Sequence, residues 1–401
     1  MTNVTELVFD PFSDSFYADP HGTFRWMREQ APVYYNPELD FYALTRHTDV
    51  VAAYRDHSTY SSAGGLDLEM MRSGQEPPKM ILFMDPPEHG RMRSLVRNAF
   101  TPGAISAQHI VIADVIRQHL DAVGLDRFDL VQDFAAPFPV EVVTRMTGVP
   151  EQFRQQVRAW SDEITRFKPG QVGRDTSANR AILELFTFYY NLVQQRRAEP
   201  ENDMISALTQ AEVDGDEGAA STLDDGEIAS FAMLLGAAGA VTVTKLVSSL
   251  IALLAQHPDQ WNALRDDPTK IRGAVEEALR FDGPILYNLR RTRVATTLHG
   301  VTIPAGKPVL LCTASANRDP AAFPDPEHFD IGRSFVGTPS LGMGYGIHNC
   351  LGAALARMEA AVALQQLLEF MPDYEVDWEG CRRVHSSNET GWSQLPVRVL
   401  K

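Results

Sequence analysis

The stretch GMGYGIHNCLGAALAR, residues 342–357, places one cysteine between a glycine-rich loop and the start of a helix. Gly344 and Gly346 permit backbone angles that other residues disfavour, which suits a tight loop. The sequence that follows, LGAALARMEAAVALQQLL, repeats apolar residues at intervals of three and four and predicts an amphipathic helix that begins at or just after Cys350. The dipole and free N–H groups of a helix N-terminus favour a thiolate. Cys350 is therefore a candidate for chemistry.

Three interpretations of Cys350 are compatible with this spacing. It is a buried and inert packing residue, a nucleophile that works with a distant histidine, or a thiolate ligand of a planar metal cofactor. Gly352 leaves room for the flat face of such a cofactor, because it has no side chain. The spacing alone leaves all three open.

Composition limits the classes of function. The chain has 401 residues, of which 44% are hydrophobic, so it can bury a large core. Its 36 lysines and arginines against 52 aspartates and glutamates give a net charge of −16, which disfavours nucleic acid and anionic membrane as partners. The cysteines Cys312, Cys350 and Cys381 form no CxxC pair, which argues against zinc and for a reducing compartment. The N-terminal MTNVTELVFDPFSD lacks the regions of a signal sequence, so we expect a cytoplasmic protein.

Helical signals dominate the chain. Apolar spacing of three and four predicts helices over 105–123, 151–167, 179–197 and 226–256. The predicted strands are fewer and lie in PVYYN, FYALTR, LRRTRVATTLHGVTIPAGKPVLLCTAS and LPVRVL. We therefore expect a mainly α protein with a small β component, forming a single domain over residues 1–401. The acidic, glycine-containing segment 211–226 is predicted to be a flexible surface loop.

The segment IASFAMLLGAAGAVTVTKLVSSLIALLA, residues 228–255, carries a single charge, at Lys245. At about 1.5 Å per residue it is long enough to span a bilayer. It lies alone in mid-chain without a basic flank, which favours a helix buried in a large helical domain, so we expect no membrane span. Gly236, Gly239 and Thr242 reduce the bulk of one part of this helix. Either a bound group or a tightly packed helix would explain their small size.

Together these segments resemble the cytochrome P450 haem-thiolate monooxygenases in their soluble bacterial form, from DPPEHGRMRSLV onward and more loosely before it. The cysteine loop matches the family's haem-binding signature at Gly344, Gly346, His348, Cys350 and Gly352. Met343 stands where the family usually has phenylalanine. The resemblance implies the cytochrome P450 fold, with a long central helix over the haem. It also implies haem b, with Cys350 as the axial thiolate ligand of the iron.

The resemblance assigns further residues around the cofactor. Glu277 and Arg280 match the family's helical ExxR pair and Arg333 matches its third member, which implies a buried network that supports the cysteine loop. Haem carries two propionates, and their burial requires cationic or hydrogen-bonding partners. The positions that the family uses for this purpose are matched by His89, Arg93, Arg290 and His348.

The family's distal catalytic motif falls on the central helix at Gly239, Val241 and Thr242. The threonine assists proton delivery to oxygen, and Val241 replaces the usual acid, which a valine cannot imitate. The Thr242 hydroxyl could instead bond back to a helix carbonyl. The resemblance implies insertion of one oxygen atom from O2 into a hydrophobic small molecule. Because of Val241, a peroxide-using enzyme, a non-oxygenating dehydratase-type haem enzyme and a haem-thiolate sensor or carrier are alternatives.

Partners follow from the same resemblance. The chain has no flavin or iron–sulfur motif, so a ferredoxin and its reductase are the expected electron source for a monomeric protein. We predict a basic docking patch formed by Arg91, Arg93, Arg97, Arg272 and Arg357. By family position, the residues expected to line an apolar substrate pocket include Met70, Met71, Phe167, Ile285 and Leu286.

Overall fold

Helices account for most of the chain. The structure, a computed structural model, describes residues 8–73, 76–124, 126–165, 176–214, 220–384 and 388–400. The α-helices within these residues are α1 (Asp14–Ala18), α2 (Pro20–Gln30), α3 (His47–Arg55), α4 (Leu68–Ser73), α5 (Glu88–Val96), α6 (Pro102–Ala107), α7 (His109–Asp121), α8 (Pro137–Thr147), α9 (Glu151–Thr165), α10 (Thr176–Ala198), α11 (Met204–Thr209), α12 (Asp225–Leu234), α13 (Ala240–Gln256), α14 (Pro258–Asp266), α15 (Ile271–Phe281), α16 (Thr313–Ala316) and α17 (Ala353–Phe370).

The strands are short and form small sheets. They are β1 (Val33–Asn36), β2 (Phe41–Leu44), β3 (Tyr60–Ser61), β4 (Arg127–Asp129), β5 (Glu212–Asp214), β6 (Ala220–Thr222), β7 (Asn288–Thr292), β8 (Thr296–Leu298), β9 (Val301–Ile303), β10 (Pro308–Leu311), β11 (Tyr374–Val376), β12 (Arg382–Arg383), β13 (Trp392–Gln394) and β14 (Pro396–Val399). One sheet has the order β1-β2-β10-β7-β3, in which β10 runs parallel to β2 and antiparallel to β7. A second has the order β11-β14-β4. The mainly α prediction with a small β component is confirmed.

Most predicted elements are present, with two local differences. Helices α9 and α10 lie where helices were predicted over 151–167 and 179–197. The single helix predicted over 105–123 is instead two helices, α6 and α7, which break at Gln108. The long predicted strand region contains β7 to β10, but its last residues, TAS, begin α16.

The segment 211–226, predicted as a flexible surface loop, contains two short strands that pair with each other. Strands β5 and β6 form an antiparallel hairpin, and residues 215–219 lie outside the described residues. The chain then enters α12 through a capping box, in which Asp224 and Glu227 each accept a hydrogen bond from the other's backbone N–H. The sequence did not predict the hairpin strands within this segment, since three-residue strands carry too little alternation to be seen in sequence.

The apolar segment 228–255 forms α12, a π-helical turn at Leu235–Gly239, and α13. In the combined helix Asp225–Gln256, which is long and apolar enough to cross a membrane, 67% of the most apolar window is buried within the protein. Lys245 is only 4% exposed and forms an ion pair with Glu389. Helices α13, α15 and α17 pack against one another, so this segment is a core helix, as predicted.

Candidate active site

The cysteine loop is held by its own backbone. The Cys350 N–H donates to the Met343 carbonyl at 2.8 Å, and the Asn349 N–H donates to the Gly346 carbonyl at 3.1 Å. Gly346 has a φ of 69°, and a Cβ at this position would lie 2.6 Å from the carbonyl oxygen of Tyr54. Glycine is required there by both backbone angle and space. The predicted helix after the loop is α17, which begins at Ala353.

Cys350 is the cysteine whose surface faces a cavity. It is exposed, yet its exposed surface belongs to a cavity between α13 and α17, whereas Cys312 is buried in an apolar cluster. Burial raises the pKa of the Cys350 thiol, while the Gly352 N–H and the positive charges of Arg357 and Arg93 act to lower it. Within the described residues, no histidine hydrogen bonds to its sulfur. The inert and nucleophilic interpretations therefore lose their support, since one needs full burial and the other needs a base in contact.

One end of the cavity collects nitrogen donors from three parts of the chain. The His89 and His348 rings lie 4.3 Å apart between centroids, and in each the buried Nε2 has no hydrogen-bond partner among the described residues. Arg93 Nη2 donates to the Asn349 carbonyl at 3.0 Å, and Arg290 Nη1 donates to the Leu289 carbonyl at 2.7 Å. All four predicted propionate residues line the cavity.

The acid near this end of the cavity, Asp85, is already engaged in an ion pair with Arg293. Burial, Arg290 and His89 lower the pKa of His348 to about 3, and burial with Arg93 lowers the pKa of His89. The neighbouring arginines of the Arg290 strand point elsewhere: Arg291 donates to the Met71 carbonyl and Arg293 pairs with Asp85 at 2.7 Å. Buried donors that lack acceptors favour a bound anion. This end of the cavity fits a carboxylate-bearing group.

The cavity also has room for a flat group beside the sulfur. Gly352 lines it, and the nearest atom to a Cβ built at Gly352 would be Cys350 Sγ, at 4.0 Å. A side chain there would extend into the space next to the thiol. The donor set that an iron porphyrin requires is therefore present. It consists of the unpartnered histidine nitrogens and two arginines at one end of the cavity, and of the thiol at its centre.

The opposite wall is the π-helical turn and the first turns of α13. Gly239 and Thr242 line the cavity, whereas Val241 is half-buried and is not among the lining residues. The Thr242 hydroxyl donates to the Ala238 carbonyl at 2.9 Å, so the back-bonded arrangement that the sequence left open is present. Gly236 serves packing instead, because a Cβ there would lie 2.8 Å from the Tyr189 hydroxyl.

The remaining lining is mainly apolar and only partly as predicted. Ile285 lines the cavity, but Met70, Met71 and Leu286 do not, and Phe167 lies outside the described residues. Met71 and Leu286 are instead buried in the second apolar cluster, with α2, β7 and β10. Lining residues that sequence reasoning missed include Phe100, Val143, Met204 and Phe231. Of these, only Phe231 carried a signal, since it shares helical spacing with Leu234, Leu235 and Ala238.

The predicted Glu277–Arg280–Arg333 network is assembled and buried. Arg280 Nη2 and Nε donate to the Glu277 carboxylate at 2.7 and 2.8 Å, and Arg333 Nε donates to it at 3.1 Å. Glu277 is fully buried, and Arg280 also donates to the carbonyl oxygens of Asn317, Pro326 and His328. The network ties α15 to the segment before the cysteine loop.

The predicted basic patch is not present in the form expected. Arg91 forms an ion pair with Glu227 and Arg357 forms one with Glu276, while Arg93 lines the cavity. Arg97 and Arg272 are the exposed members of the set. The patch prediction failed for Arg91 and Arg357 because their acidic partners are distant in sequence, and for Arg93 because its side chain faces the cavity.

The family model for cytochrome P450 matches residues 125–377. The chain belongs to the cytochrome P450 family. Erythromycin C-12 hydroxylase of Saccharopolyspora erythraea is 38% identical over 376 residues, which cover 92% of each protein. Vitamin D(3) 25-hydroxylase of Pseudonocardia autotrophica is 34% identical over 399 residues, which cover 97% of this chain and 96% of the relative. The solved structure of a cytochrome P450 from Chondromyces apiculatus matches with a TM-score of 0.87 and 32% identity, covering 97% of each chain.

This cytochrome P450 is accordingly a haem-dependent monooxygenase, an oxidoreductase that acts on a small molecule with O2 and electrons from a redox partner. Its cofactor is haem with an axial cysteine thiolate, and Cys350 is the cysteine that meets the cavity. Met343, in place of the family's phenylalanine, also lines the cavity and accepts the Cys350 N–H on its carbonyl.

Proposed function

We propose that this cytochrome P450 hydroxylates a large, mainly apolar small molecule, with electrons from a ferredoxin and its reductase. The observation that carries the proposal is one continuous cavity. Cys350 lies on one side of it, and the apolar residues of α12, the π-helical turn and α13 lie on the other. A substrate held against that wall would face the cofactor.

Six of the cavity residues with polar side chains have a place in this proposal. Cys350 binds the iron, and His89, Arg93, Arg290 and His348 hold the propionates. Haem, when bound, supplies the activation of O2 for insertion of one oxygen atom into a C–H bond. The chain's own residues orient that cofactor and exclude bulk water from the apolar side. Thr242 lines the cavity, and its hydroxyl donates to the Ala238 carbonyl.

The substrate class follows from the lining of the distal wall. Leu234, Leu235, Val243 and Leu246 offer no hydrogen bond, and Ile285 closes the wall from the segment before β7. An apolar site of this kind binds by burial of apolar surface, so a charged substrate would lose its hydration without compensation. The names of two relatives, hydroxylases of erythromycin and of vitamin D(3), support a large substrate.

The proposal is tested by spectroscopy and by product analysis. A library of apolar compounds, steroids and macrolides included, is titrated into the haem-loaded protein while the Soret band is recorded. Compounds that shift the band are then incubated with O2, NADPH, a ferredoxin and its reductase. Product carrying one oxygen atom from labelled O2 supports the proposal. A library that shifts nothing, or ligands that bind and are never oxidised, would favour a sensor or carrier.

One observation favours a second function, oxidation driven by peroxide. Val241 stands where the family usually has an acid, and the Thr242 hydroxyl is occupied by the Ala238 carbonyl. Both features weaken proton delivery from the distal helix. The two functions are separated by comparing product formed with hydrogen peroxide alone and with the ferredoxin system. Faster turnover with peroxide would support the second function.

Electron delivery is proposed to use the exposed arginines that remain near the cysteine loop. Arg97 follows α5, which carries His89, and Arg272 lies in α15, which packs against α17. R97E and R272E should slow reduction by an acidic ferredoxin and flatten its salt dependence. R180E on α10 is the control, because α10 packs against α9 and α12. Equal effects of the three variants would contradict this docking site.

We also propose that the protein is monomeric and cytoplasmic.

A further inference from the structure

A buried ion pair joins the central helix to the C-terminal part of the chain, and the functions described above leave it unused. Lys245, the single charge of the apolar segment 228–255, directs its Nζ to the Glu389 carboxylate. Gly391 lies against the stem of this lysine, because its φ is 142° and a Cβ there would lie 2.9 Å from the Lys245 Cβ. The backbone around Glu389 is therefore packed directly on α13.

The same part of the chain holds one wall of the cavity. Between α15 and β7 the chain passes through residues 284–287, here called the wall segment, in which Pro284 and Ile285 line the cavity. The Thr390 N–H donates to the Pro284 carbonyl at 3.0 Å, and Ile285 forms an antiparallel bridge with Glu389. Glu389 thus contacts the wall segment through its backbone and α13 through its carboxylate.

Lys245 stands beside the cavity face of α13 without belonging to it. Thr242, three residues earlier, and Leu246, the next residue, both line the cavity, whereas Lys245 is not among the lining residues. Its side chain leaves the helix toward Glu389 instead. The ion pair therefore connects two walls of the cavity, α13 and the wall segment, within one helical turn of Thr242.

Stability alone does not explain an ion pair at this place. The loss of hydration of two charges largely offsets their attraction, so a buried ion pair is often no more stabilising than apolar side chains of the same size. It differs from an apolar contact in direction, because the ammonium group is satisfied only where the carboxylate lies. Apolar side chains would hold the two walls together and would also let them slide. The ion pair fixes their relative position.

We propose that Lys245 and Glu389 are positioning residues that set the width of the substrate space between α13 and the wall segment. The inference rests on the proposed function, because these two walls are the ones that an apolar substrate would contact. With the ion pair intact, Ile285 is held at a fixed distance from Thr242 and Leu246, so a rigid apolar ligand of matching width is preferred. Without the pair, the wall segment shifts and that fit is lost.

The test removes the ion pair without leaving a charge unpaired. In K245M/E389M both charged side chains become apolar ones of similar length, which should preserve folding and haem binding. The control is E141M/R154M, which removes the ion pair between α8 and α9. The side chains of Glu141 and Arg154 are 15% and 17% exposed, against 5% and 17% for Lys245 and Glu389, and neither control residue lines the cavity. K245E/E389K reverses the two charges and restores a pair.

Two ligands that bind iron through nitrogen are titrated into the haem-loaded proteins while the Soret band is recorded. Imidazole is the small reference ligand, whereas 4-phenylimidazole carries a rigid phenyl ring that must fit between the two walls. Relative to wild type, K245M/E389M should bind imidazole unchanged and 4-phenylimidazole on the order of 10-fold more weakly, a typical coupling between residues in contact. The control should bind both ligands like wild type, and K245E/E389K should regain most of the affinity for 4-phenylimidazole.

Three results would overturn the proposal. If K245M/E389M binds 4-phenylimidazole as tightly as wild type or more tightly, the ion pair does not set the width of the space. If both ligands bind more weakly by the same factor, the effect lies at the cofactor and not at the wall. If K245E/E389K is as weak as K245M/E389M, the loss comes from the altered side chains and not from the missing pair.

Should K245M/E389M fail to retain haem, K245E/E389K decides the question by itself. Wild-type affinity for 4-phenylimidazole in that variant supports the proposal, and weakened affinity with unchanged imidazole binding overturns it. A wild-type protein that binds 4-phenylimidazole no better than imidazole would refute the apolar substrate cavity, and with it the proposed function. The two failures are therefore distinguishable.

Discussion

Replacing Glu277 by glutamine should destabilise this protein far more than the same change at its neighbour, Glu276. The Glu277 carboxylate accepts N–H groups from Arg280 at 2.7 and 2.8 Å, from Arg333 at 3.1 Å and from the Asp330 backbone at 3.0 Å. A glutamine turns one acceptor atom into a donor that faces these donors. It also leaves the charge of Arg280, which is 1% exposed, without its counter-ion.

The magnitude follows from burial. Removing one partner of a buried ion pair costs about 3–5 kcal/mol, because the remaining charge stays out of water. This is a large part of the ~5–15 kcal/mol that holds an ordinary protein folded. Glu276 pairs with Arg357, and their side chains are 31% and 40% exposed. E276Q should therefore cost about 0–1 kcal/mol, the usual value of a solvent-accessible pair.

The assay is urea denaturation of E277Q, E276Q and the wild-type protein, followed by helix signal and by haem absorbance. The consequences of E277Q should include earlier loss of haem, because α15 touches the cysteine loop directly: a Cβ at Gly342 would lie 2.4 Å from the Leu279 carbonyl oxygen. If E277Q loses no more stability than E276Q, the network is not acting as a buried ion pair and the reasoning fails.

Four further predictions address the site and the fold. C350A should abolish the haem-thiolate spectrum, while C312A, in the apolar cluster, should leave it intact; a thiolate spectrum in C350A would contradict the assigned ligand. H89A should weaken haem retention, measured as transfer of haem to apomyoglobin, and unchanged transfer would remove His89 from the propionate site. V241D should raise the fraction of electrons that reach product, and equal coupling would show that the missing acid is not limiting. The pKa of Asp282 is held low by Arg383, His21 and Arg318 against the effect of burial, so its stabilisation is present above the unfolded pKa of about 3.9 and is lost as pH falls. The stability difference between wild type and D282N should therefore be constant near pH 7 and begin to shrink as the pH falls below about 4, and a gap independent of pH would count against this account.

Residues in fixed motifs were the ones that the sequence could locate. Cys350, Glu277 and Arg280 each belong to a short spaced pattern, and the structure brings the network and the cavity together as expected. Such patterns can be recognised in a sequence because the chemistry of the site fixes both the residue types and their spacing. The same reasoning selected Arg290 over its neighbours, and the structure directs that side chain to the cavity.

Contacts between distant segments could not be predicted in the same way. Arg91 and its partner Glu227 are 136 residues apart, so the sequence suggests a free surface charge where the structure has an ion pair.

Ile285 and Leu286 are adjacent and equally apolar, yet only Ile285 lines the cavity. The Leu286 N–H donates to the Asn388 carbonyl at 2.8 Å, and the Leu286 side chain is buried in the second apolar cluster. One sequence cannot say which side becomes the cavity.

The central helix shows why its small residues serve different purposes. In its π-helical turn the carbonyl groups lose regular α-helical partners, and side chains replace them: Ser161 donates to the Gly236 carbonyl at 3.3 Å and Thr242 donates to the Ala238 carbonyl at 2.9 Å. The Thr242 hydroxyl thus donates its proton within the helix, and its oxygen can still accept a hydrogen bond. A hydroxyl in that state can relay a proton and cannot be its source. With valine at position 241, this turn of the helix offers the cavity a hydroxyl group and no carboxylic acid.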